Sequence, residues 1–184
     1  DLPAPVREPL GDVLEAIESQ PLARLQSDYV DTFDVTRRCA LHLTYYTCGD
    51  TRKRGVELVR FKQAYRDAGA AYDHEELPDH LGVVLEFGAT VNHAVAWKLL
   101  CDHRVCVELL ARALTDRDST WSPVLRALRA TLPALDGTDE EALARLIAEG
   151  PPSEQVGLEL PGYALDPRLQ STYLGSSIPV RANA

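Results

Sequence analysis

ELPDHLGVVLEF, residues 76–87, joins a helix start to an apolar helical face and so indicates the kind of fold. Pro78 is favourable in the first turn of a helix, where its missing N–H does no harm. Apolar residues then recur at helical spacing over residues 81–91. Asp79 is expected in the first turn, where its charge complements the helix dipole, and it would form a negative patch with Glu76.

The same helical periodicity extends through most of the chain on both sides of this stretch. Gly49 can end one helix in a left-handed conformation and Asp50 can cap the next. Ser119 or Thr120 is predicted to cap a later helix, and Thr138 opens a capping box. No hairpin signal stands out. We therefore predict an all-α, single-domain helical bundle of about six or seven helices. The further segments with this periodicity are residues 10–18, 22–33, 52–68, 94–114, 124–128 and 143–147.

The pattern changes at Gly150, where proline and glycine become frequent. Such a density of proline prevents a long helix, because each proline removes a backbone donor. The sequence thus predicts a helical domain over residues 1–149. Residues 150–184 are predicted to form an irregular C-terminal tail, extended or partly disordered.

The composition is that of an acidic globular protein. The 184 residues carry a net charge of −9, and 45% of them are hydrophobic. Acidity disfavours a nucleic-acid partner, since phosphate binding depends on Lys and Arg, and it favours a basic ligand. No apolar run approaches the roughly 20 residues that cross a bilayer, and no signal peptide opens the chain. A cytoplasmic protein is predicted. Because the chain starts at Asp1 and contains no Met, a fragment lacking an N-terminal helix is expected.

No group of residues makes a convincing catalytic or metal site. Cys101, His103 and Cys106 lie close in sequence, but a closed zinc site needs four ligands in paired spacings. The four cysteines are therefore predicted to be reduced, mostly buried thiols. No GxSxG turn or phosphate-binding glycine loop occurs. We expect a protein that is not an enzyme and has no cofactor or metal of its own.

Aromatic residues and one titratable residue offer a binding site instead. Tyr29 and Phe33 lie one helical turn apart, and Tyr45 follows on the next segment. They form either an ordinary aromatic core or the wall of a groove for an apolar peptide. His80 can titrate near neutral pH. Residues 75–81 are either a helix cap and nothing more, or part of that site.

Three stretches together resemble the redox-enzyme maturation chaperones. They are Tyr29-x3-Phe33, LTYYTCGDTRKRG at residues 43–55, and ELPDHLGVVLEF at residues 76–87. Within that family the likeness is strongest to the delta protein that assembles membrane-bound respiratory nitrate reductase. The ELPDHL run is similar to the family's Glu-Pro-x-Asp-His signature.

The resemblance implies an all-helical chaperone without catalytic activity. Such proteins bind the N-terminal segment of the catalytic subunit, keep the apoenzyme competent for molybdenum cofactor insertion, and prevent premature membrane attachment. If an N-terminal helix is missing from this sequence, exchange of a helix between copies would give a homodimer. The implied peptide-binding residues are Tyr29, Phe33, Tyr45, Arg52, Arg54, Glu76, Pro78, Asp79, His80, Leu81 and Glu86.

Two other functions stay open at this point. One is a regulatory or scaffold bundle without a peptide client. The other is an enzyme in which His80 works with Asp79 or Glu76 as acid–base groups, and it requires a concave pocket with a nucleophile or metal nearby.

Overall fold

A computed structural model describes residues 2–73 and 75–152, and this part of the chain is all-α, as predicted. A π-helix, Val30–Asp34, and a 3-10 helix, Arg37–Cys39, lie between the second and third α-helices. Within the described residues the only β-type pairing is an isolated bridge between His42 and His80. The α-helices of this part of the chain are α1 Ala4–Glu18, α2 Leu22–Tyr29, α3 Tyr45–Cys48, α4 Arg52–Asp67, α5 Leu81–Thr90, α6 His93–Asp102, α7 Arg104–Asp116, α8 Ser122–Thr131 and α9 Gly137–Glu149.

Helix α7 is the centre of the bundle. It packs against α3, α6, α8, α9 and the 3-10 helix, and Val107, Leu110 and Leu114 are almost fully buried along it. Helix α1 packs against α8, where Asp12 pairs with Arg126 at 2.8 Å. Apolar residues spaced by three and four positions thus turn inward, as the periodicity predicts.

Two features raise the number of helices above the predicted six or seven. The predicted helix over 94–114 is interrupted at His103, whose φ of −112° and ψ of 28° separate α6 from α7. The helix that Gly49 ends is the single turn of α3, Tyr45–Cys48. Helices α5 and α6 pack closely because Gly88 has no side chain: a Cβ there would lie 2.7 Å from the Cβ of Ala96.

The predicted turn at Gly49 is confirmed by its φ of +58°, but several predicted caps are wrong. Asp50 does not cap α4, because its carboxylate pairs with Arg54 at 3.4 Å and Thr51 holds the N-cap position. Asp136 caps α9 in place of the predicted Thr138, by accepting the N–H of Asp139.

Helix α8 begins later than predicted and has no side-chain cap. Trp121 is its N-cap residue. Ser119 accepts the N–H of Trp121 at 3.3 Å and so orders the turn before the helix.

Two predictions concern the chain as a whole. None of the helices within residues 2–73 and 75–152 is long and apolar enough to cross a membrane. Of the predicted tail, only Gly150, Pro151 and Pro152 are among the described residues, and residues 153–184 lie outside them.

Candidate functional site

The loop before α5 differs from the predicted helix start. Helix α5 begins at Leu81, and His80 is its N-cap residue, with Nδ1 accepting the N–H of Gly82 at 3.2 Å. Pro78 and Asp79 precede the helix and are both fully buried. The predicted role of Asp79 in the first turn, and in a surface patch with Glu76, is therefore wrong.

The reason is that Asp79 has partners in a distant part of the chain. Its Oδ2 accepts the backbone N–H of Thr44 at 3.1 Å and the hydroxyl of the same residue at 2.6 Å. Oδ1 lies 3.5 Å from Nδ1 of His42, which is longer than a good hydrogen bond, and Oδ1 has no hydrogen-bond partner among the described residues. We call Asp79, Thr44 and His42 the Asp79 network.

The Asp79 network keeps the carboxylate ionised. Burial alone would raise the pKa of Asp79, but the contacts from His42 and Thr44 outweigh burial and hold that pKa below its usual value. A buried carboxylate is tolerated when hydrogen bonds compensate its charge, and Thr44 supplies two of them to Oδ2. The network thus fixes the loop before α5 to the segment before α3.

Backbone contacts reinforce this junction. The N–H of Leu43 donates to the carbonyl of Asp79 at 3.0 Å, and the N–H of Leu81 donates to the carbonyl of Leu41 at 2.8 Å. The hydroxyl of Tyr65, itself buried, donates to the carbonyl of Pro78 at 2.6 Å. The loop before α5 is therefore held from both α4 and the segment before α3.

His80 lies beside this junction and is half-buried. Its ring is 5.4 Å from that of His42. Burial lowers the pKa of His80, and the nearby His42 acts in the same direction. Because Nδ1 of His80 is engaged at the start of α5 and Asp79 has no exposure, these two residues do not form an accessible acid–base pair.

Two of the predicted aromatic residues form a cluster with a third that their spacing does not identify; Tyr29 is exposed, whereas Phe33 and Trp121 are partly buried against the core. The rings of Tyr29 and Phe33 lie 4.9 Å apart, and that of Trp121 lies 6.0 Å from Tyr29. We call Tyr29, Phe33 and Trp121 the aromatic patch. Burial, and then the charges of Asp34 and Glu76, raise the pKa of Tyr29, so carboxylates flank the patch.

The π-helix helps to form the aromatic patch. The N–H of Val35 donates to the carbonyl of Val30 at 3.1 Å, a five-residue spacing that widens the last turn after α2. Helices of this type occur frequently at functional sites. Tyr29 remains 39% exposed beside this turn, so its ring is available to a partner.

Tyr45 belongs to a separate cavity of about 380 Å³. We call it the arginine cavity, because three arginines contribute to its lining. The 3-10 helix, α3, α7 and the end of α9 form its walls. Its lining residues are Arg37, Arg38, Tyr45, Tyr46, Leu109, Arg112, Ala113, Asp116, Leu146, Ile147, Gly150 and Pro151.

The remaining predicted residues are spread over the surface and the core. Arg54 lies over the ring of Tyr45, with 5.9 Å to the centroid, and its Nε donates to the hydroxyl of Thr44 at 3.4 Å. Arg52 is exposed on α4, and Glu86 is exposed on α5 beside a smaller cavity. Leu81 is in the core. The predicted residues are therefore divided among the aromatic patch, the arginine cavity, the buried junction before α5 and the exposed faces of α4 and α5.

The cysteines behave as packing residues. Cys39, Cys48 and Cys106 are buried, and burial raises the pKa of the Cys106 thiol to about 12. A thiol that stays protonated is a poor nucleophile and metal ligand. No group of three or more potential metal ligands occurs in the part of the chain that the structure describes.

Comparisons with known proteins show which family has this sequence pattern. The chain matches the nitrate reductase delta subunit family over residues 1–127. It is 39% identical over 124 residues to nitrate reductase-like protein NarX of Mycobacterium tuberculosis; these residues are 67% of this chain but 19% of that relative.

Two further relatives are named as assembly chaperones. The probable nitrate reductase molybdenum cofactor assembly chaperone NarJ of Bacillus subtilis is 33% identical over 127 residues, 69% of each chain. The nitrate reductase molybdenum cofactor assembly chaperone NarJ of Escherichia coli K12 is 30% identical over 149 residues, 81% of this chain and 62% of the relative. The chain belongs to the nitrate reductase delta subunit family.

Proposed function

We propose that this chain is an assembly chaperone that binds the N-terminal segment of a respiratory nitrate reductase catalytic subunit and supports molybdenum cofactor insertion. Its membership of the delta subunit family supports this role, as do the names of the two NarJ relatives, which describe chaperones and not catalysts. The proposal places binding in the cytoplasm, before the catalytic subunit attaches to the membrane. A homodimer formed by helix exchange stays a prediction.

The observation that carries the proposal is the aromatic patch with its flanking carboxylates. Tyr29 is exposed and lies against Phe33 and Trp121, and the charges of Asp34 and Glu76 act on it. Aromatic faces bury the apolar side of an amphipathic peptide. Carboxylates and ring faces also attract a Lys or Arg side chain. A basic, amphipathic N-terminal segment suits this surface.

The buried members of the predicted set have a different role in this proposal. Pro78, Asp79 and Leu81 cannot touch a peptide while the loop is folded, because their side chains are buried. They hold the loop that carries Glu76, which is exposed. The proposed contacts outside the patch remain Arg52, Arg54, Glu76, His80 and Glu86, while Tyr45 lines the arginine cavity.

Titration calorimetry tests the proposal. A peptide from the N-terminus of the catalytic subunit should bind with a dissociation constant on the order of micromolar or tighter. Tyr29→Ala should weaken binding about tenfold, since an aromatic contact at the centre of an interface contributes more than about 1 kcal/mol. Glu76→Gln should weaken it less and reduce its dependence on salt.

Matched variants separate binding from general surface effects. Val59→Ala replaces an exposed apolar residue on α4, and Glu141→Gln replaces an exposed carboxylate on α9. Both should leave peptide affinity unchanged. Absence of heat with the wild-type protein, together with no effect on cofactor insertion into the apo-subunit, would remove the proposal.

A further inference from the structure

The arginine cavity differs in charge from the rest of the molecule. The protein carries a net charge of −9, yet Arg37, Arg38 and Arg112 line this cavity, and Asp116 is the one acidic residue among the described residues of its lining. No salt bridge of these three arginines occurs among the described residues. The cavity is therefore a local positive site on an acidic protein.

The backbone that carries the arginines is held by neighbouring residues. The 3-10 helix that carries Arg37 and Arg38 is anchored by Cys39, which is fully buried. The hydroxyl of Tyr46 lies 2.9 Å from the carbonyl of Arg38 and 3.0 Å from that of Ala40. Residue 112 lies on α7, the central helix. The backbone that carries the three arginines is thus held in place, while their side chains are exposed.

Apart from Asp116, the rest of the lining is apolar or aromatic. Leu109 and Ala113 come from α7, and Leu146 and Ile147 come from α9, where Ile147 is 51% exposed. The volume of about 380 Å³ lies in the range of ordinary ligand pockets. It is large enough for a few side chains of a peptide. The lining therefore suits a segment that has both apolar side chains and carboxylates.

The cavity is also connected to the junction before α5. Thr44 and Tyr45 are consecutive, and Thr44 holds Asp79 while Tyr45 lines the cavity. Arg54 contacts both Thr44 and Tyr45. A partner seated in the cavity therefore rests on the same backbone that fixes the loop carrying Glu76.

We propose that the arginine cavity binds an acidic, amphipathic segment of the catalytic subunit, distinct from the basic N-terminal segment at the aromatic patch. This inference rests on the proposed function. Guanidinium groups bind carboxylates through charge-assisted, often bidentate hydrogen bonds. They repel a basic segment, so the two surfaces select segments of opposite charge on one client.

The test measures binding of the full-length protein to the apo-catalytic subunit, intact and lacking its N-terminal segment. The double variant Arg38→Ala/Arg112→Ala should bind the intact subunit at least about tenfold more weakly than the wild type, because two charge-assisted contacts are lost. The truncated subunit should retain weak binding to the wild type and lose it with the double variant. The isolated N-terminal peptide should bind both proteins equally.

Control variants separate loss of the cavity contacts from a general effect of charge and from misfolding. Arg145→Ala removes an exposed arginine of α9 that does not line the cavity, and it should change neither affinity. The double variant Arg38→Lys/Arg112→Lys should recover part of the loss, since charge is kept and the bidentate geometry is not. Unchanged helicity by circular dichroism shows that the variants fold.

Several results would overturn the inference. Equal affinity of wild type and the double alanine variant for the intact subunit would do so while leaving the proposed function intact. Arginine-dependent binding of inorganic phosphate, with unchanged subunit affinity, would assign the cavity to a small anion. Loss of a dimer in the double alanine variant, seen by sedimentation, would assign it to a second copy. If neither peptide nor subunit binds the wild type, both proposals fall.

Discussion

The Asp79 network and the arginine cavity are neighbours along the chain, but their charged groups have opposite surroundings. At Asp79 the carboxylate is buried and its oxygens contact Thr44 and His42. At the cavity, the guanidinium groups of Arg38 and Arg112 border open space. The recognisable ELPDHL motif thus stabilises a junction, whereas the proposed binding chemistry of the cavity resides in arginines that belong to no motif.

The largest effect should come from Asp79→Ala. Removing the carboxylate leaves the buried N–H and hydroxyl of Thr44 without their acceptor. Unfolding in urea, followed by circular dichroism, should show a loss of about 3 kcal/mol, near the upper end for an unsatisfied buried group. Glu141→Ala removes an exposed carboxylate from α9 and serves as the control, with little expected change.

Lowering the pH should also remove the stabilising charge of Asp79 from the wild-type protein. Since the pKa of Asp79 is held below its usual value, the folded state keeps this group ionised where the unfolded state begins to bind a proton. The stability it contributes is present above the unfolded pKa and is lost as pH falls through the folded pKa. Asp79→Asn should be less stable at neutral pH and lose less on acidification, as measured by urea unfolding at each pH. Equal acid sensitivity of both proteins would contradict the account of the network.

An intermediate effect is expected at His80, which caps α5. His80→Ala should destabilise the protein by about 1 kcal/mol, and His80→Asn should recover most of that loss because Asn is a good N-cap residue. Thermal unfolding measures both changes. If His80→Asn lost as much stability as His80→Ala, the ring of His80 would stabilise the protein by packing and not by capping α5.

The pH dependence of His80 has a defined sign. Protonation removes the acceptor that Nδ1 offers to Gly82, and burial lowers the pKa of His80 in the folded protein. Its contribution is therefore present above the unfolded pKa and lost as pH falls through the folded pKa. His42, Glu76 and Asp79 also act on this ring. The stability of His80→Asn, measured across mildly acidic pH, should fall less than that of the wild type.

The smallest effect on stability should come from the arginine cavity. Arg112→Ala should change the free energy of unfolding by no more than about 0.5 kcal/mol, as for exposed residues without structural partners. Urea unfolding of this variant beside Asp79→Ala measures the contrast between the two regions directly. A loss near that of Asp79→Ala would show that Arg112 is structural and that the two regions do not differ in this way.

Most of the fold is predictable from the sequence, because helical periodicity is local. The spacing of apolar residues identifies most helices, and Gly49 marks a turn through its positive φ. The break at His103 is not predictable, since the apolar pattern continues across it. The predicted position of Asp79 is wrong because the helix dipole concerns only neighbouring residues, whereas its partner Thr44 lies 35 positions away.

The candidate site is less predictable, because tertiary packing creates it. Spacing alone selects Tyr29 and Phe33, but Trp121 joins them from a distant turn. Arg37 and Arg38 form a visible basic pair, yet nothing local distinguishes such a pair from a solvated surface. Arg112 reaches the same cavity only because α7 packs against the 3-10 helix.

The arginine cavity is intact only while helix α9 is folded against α7. This helix packs chiefly against α7, and Leu143 is its buried anchor. An element with so little buried surface opens at a smaller free energy than the core of the bundle. Its amide protons should therefore exchange with solvent faster than those of α7. Leu146 and Ile147 form one wall of the cavity. Each local unfolding of α9 would therefore remove that wall until the helix refolds, while the Asp79 network stays folded.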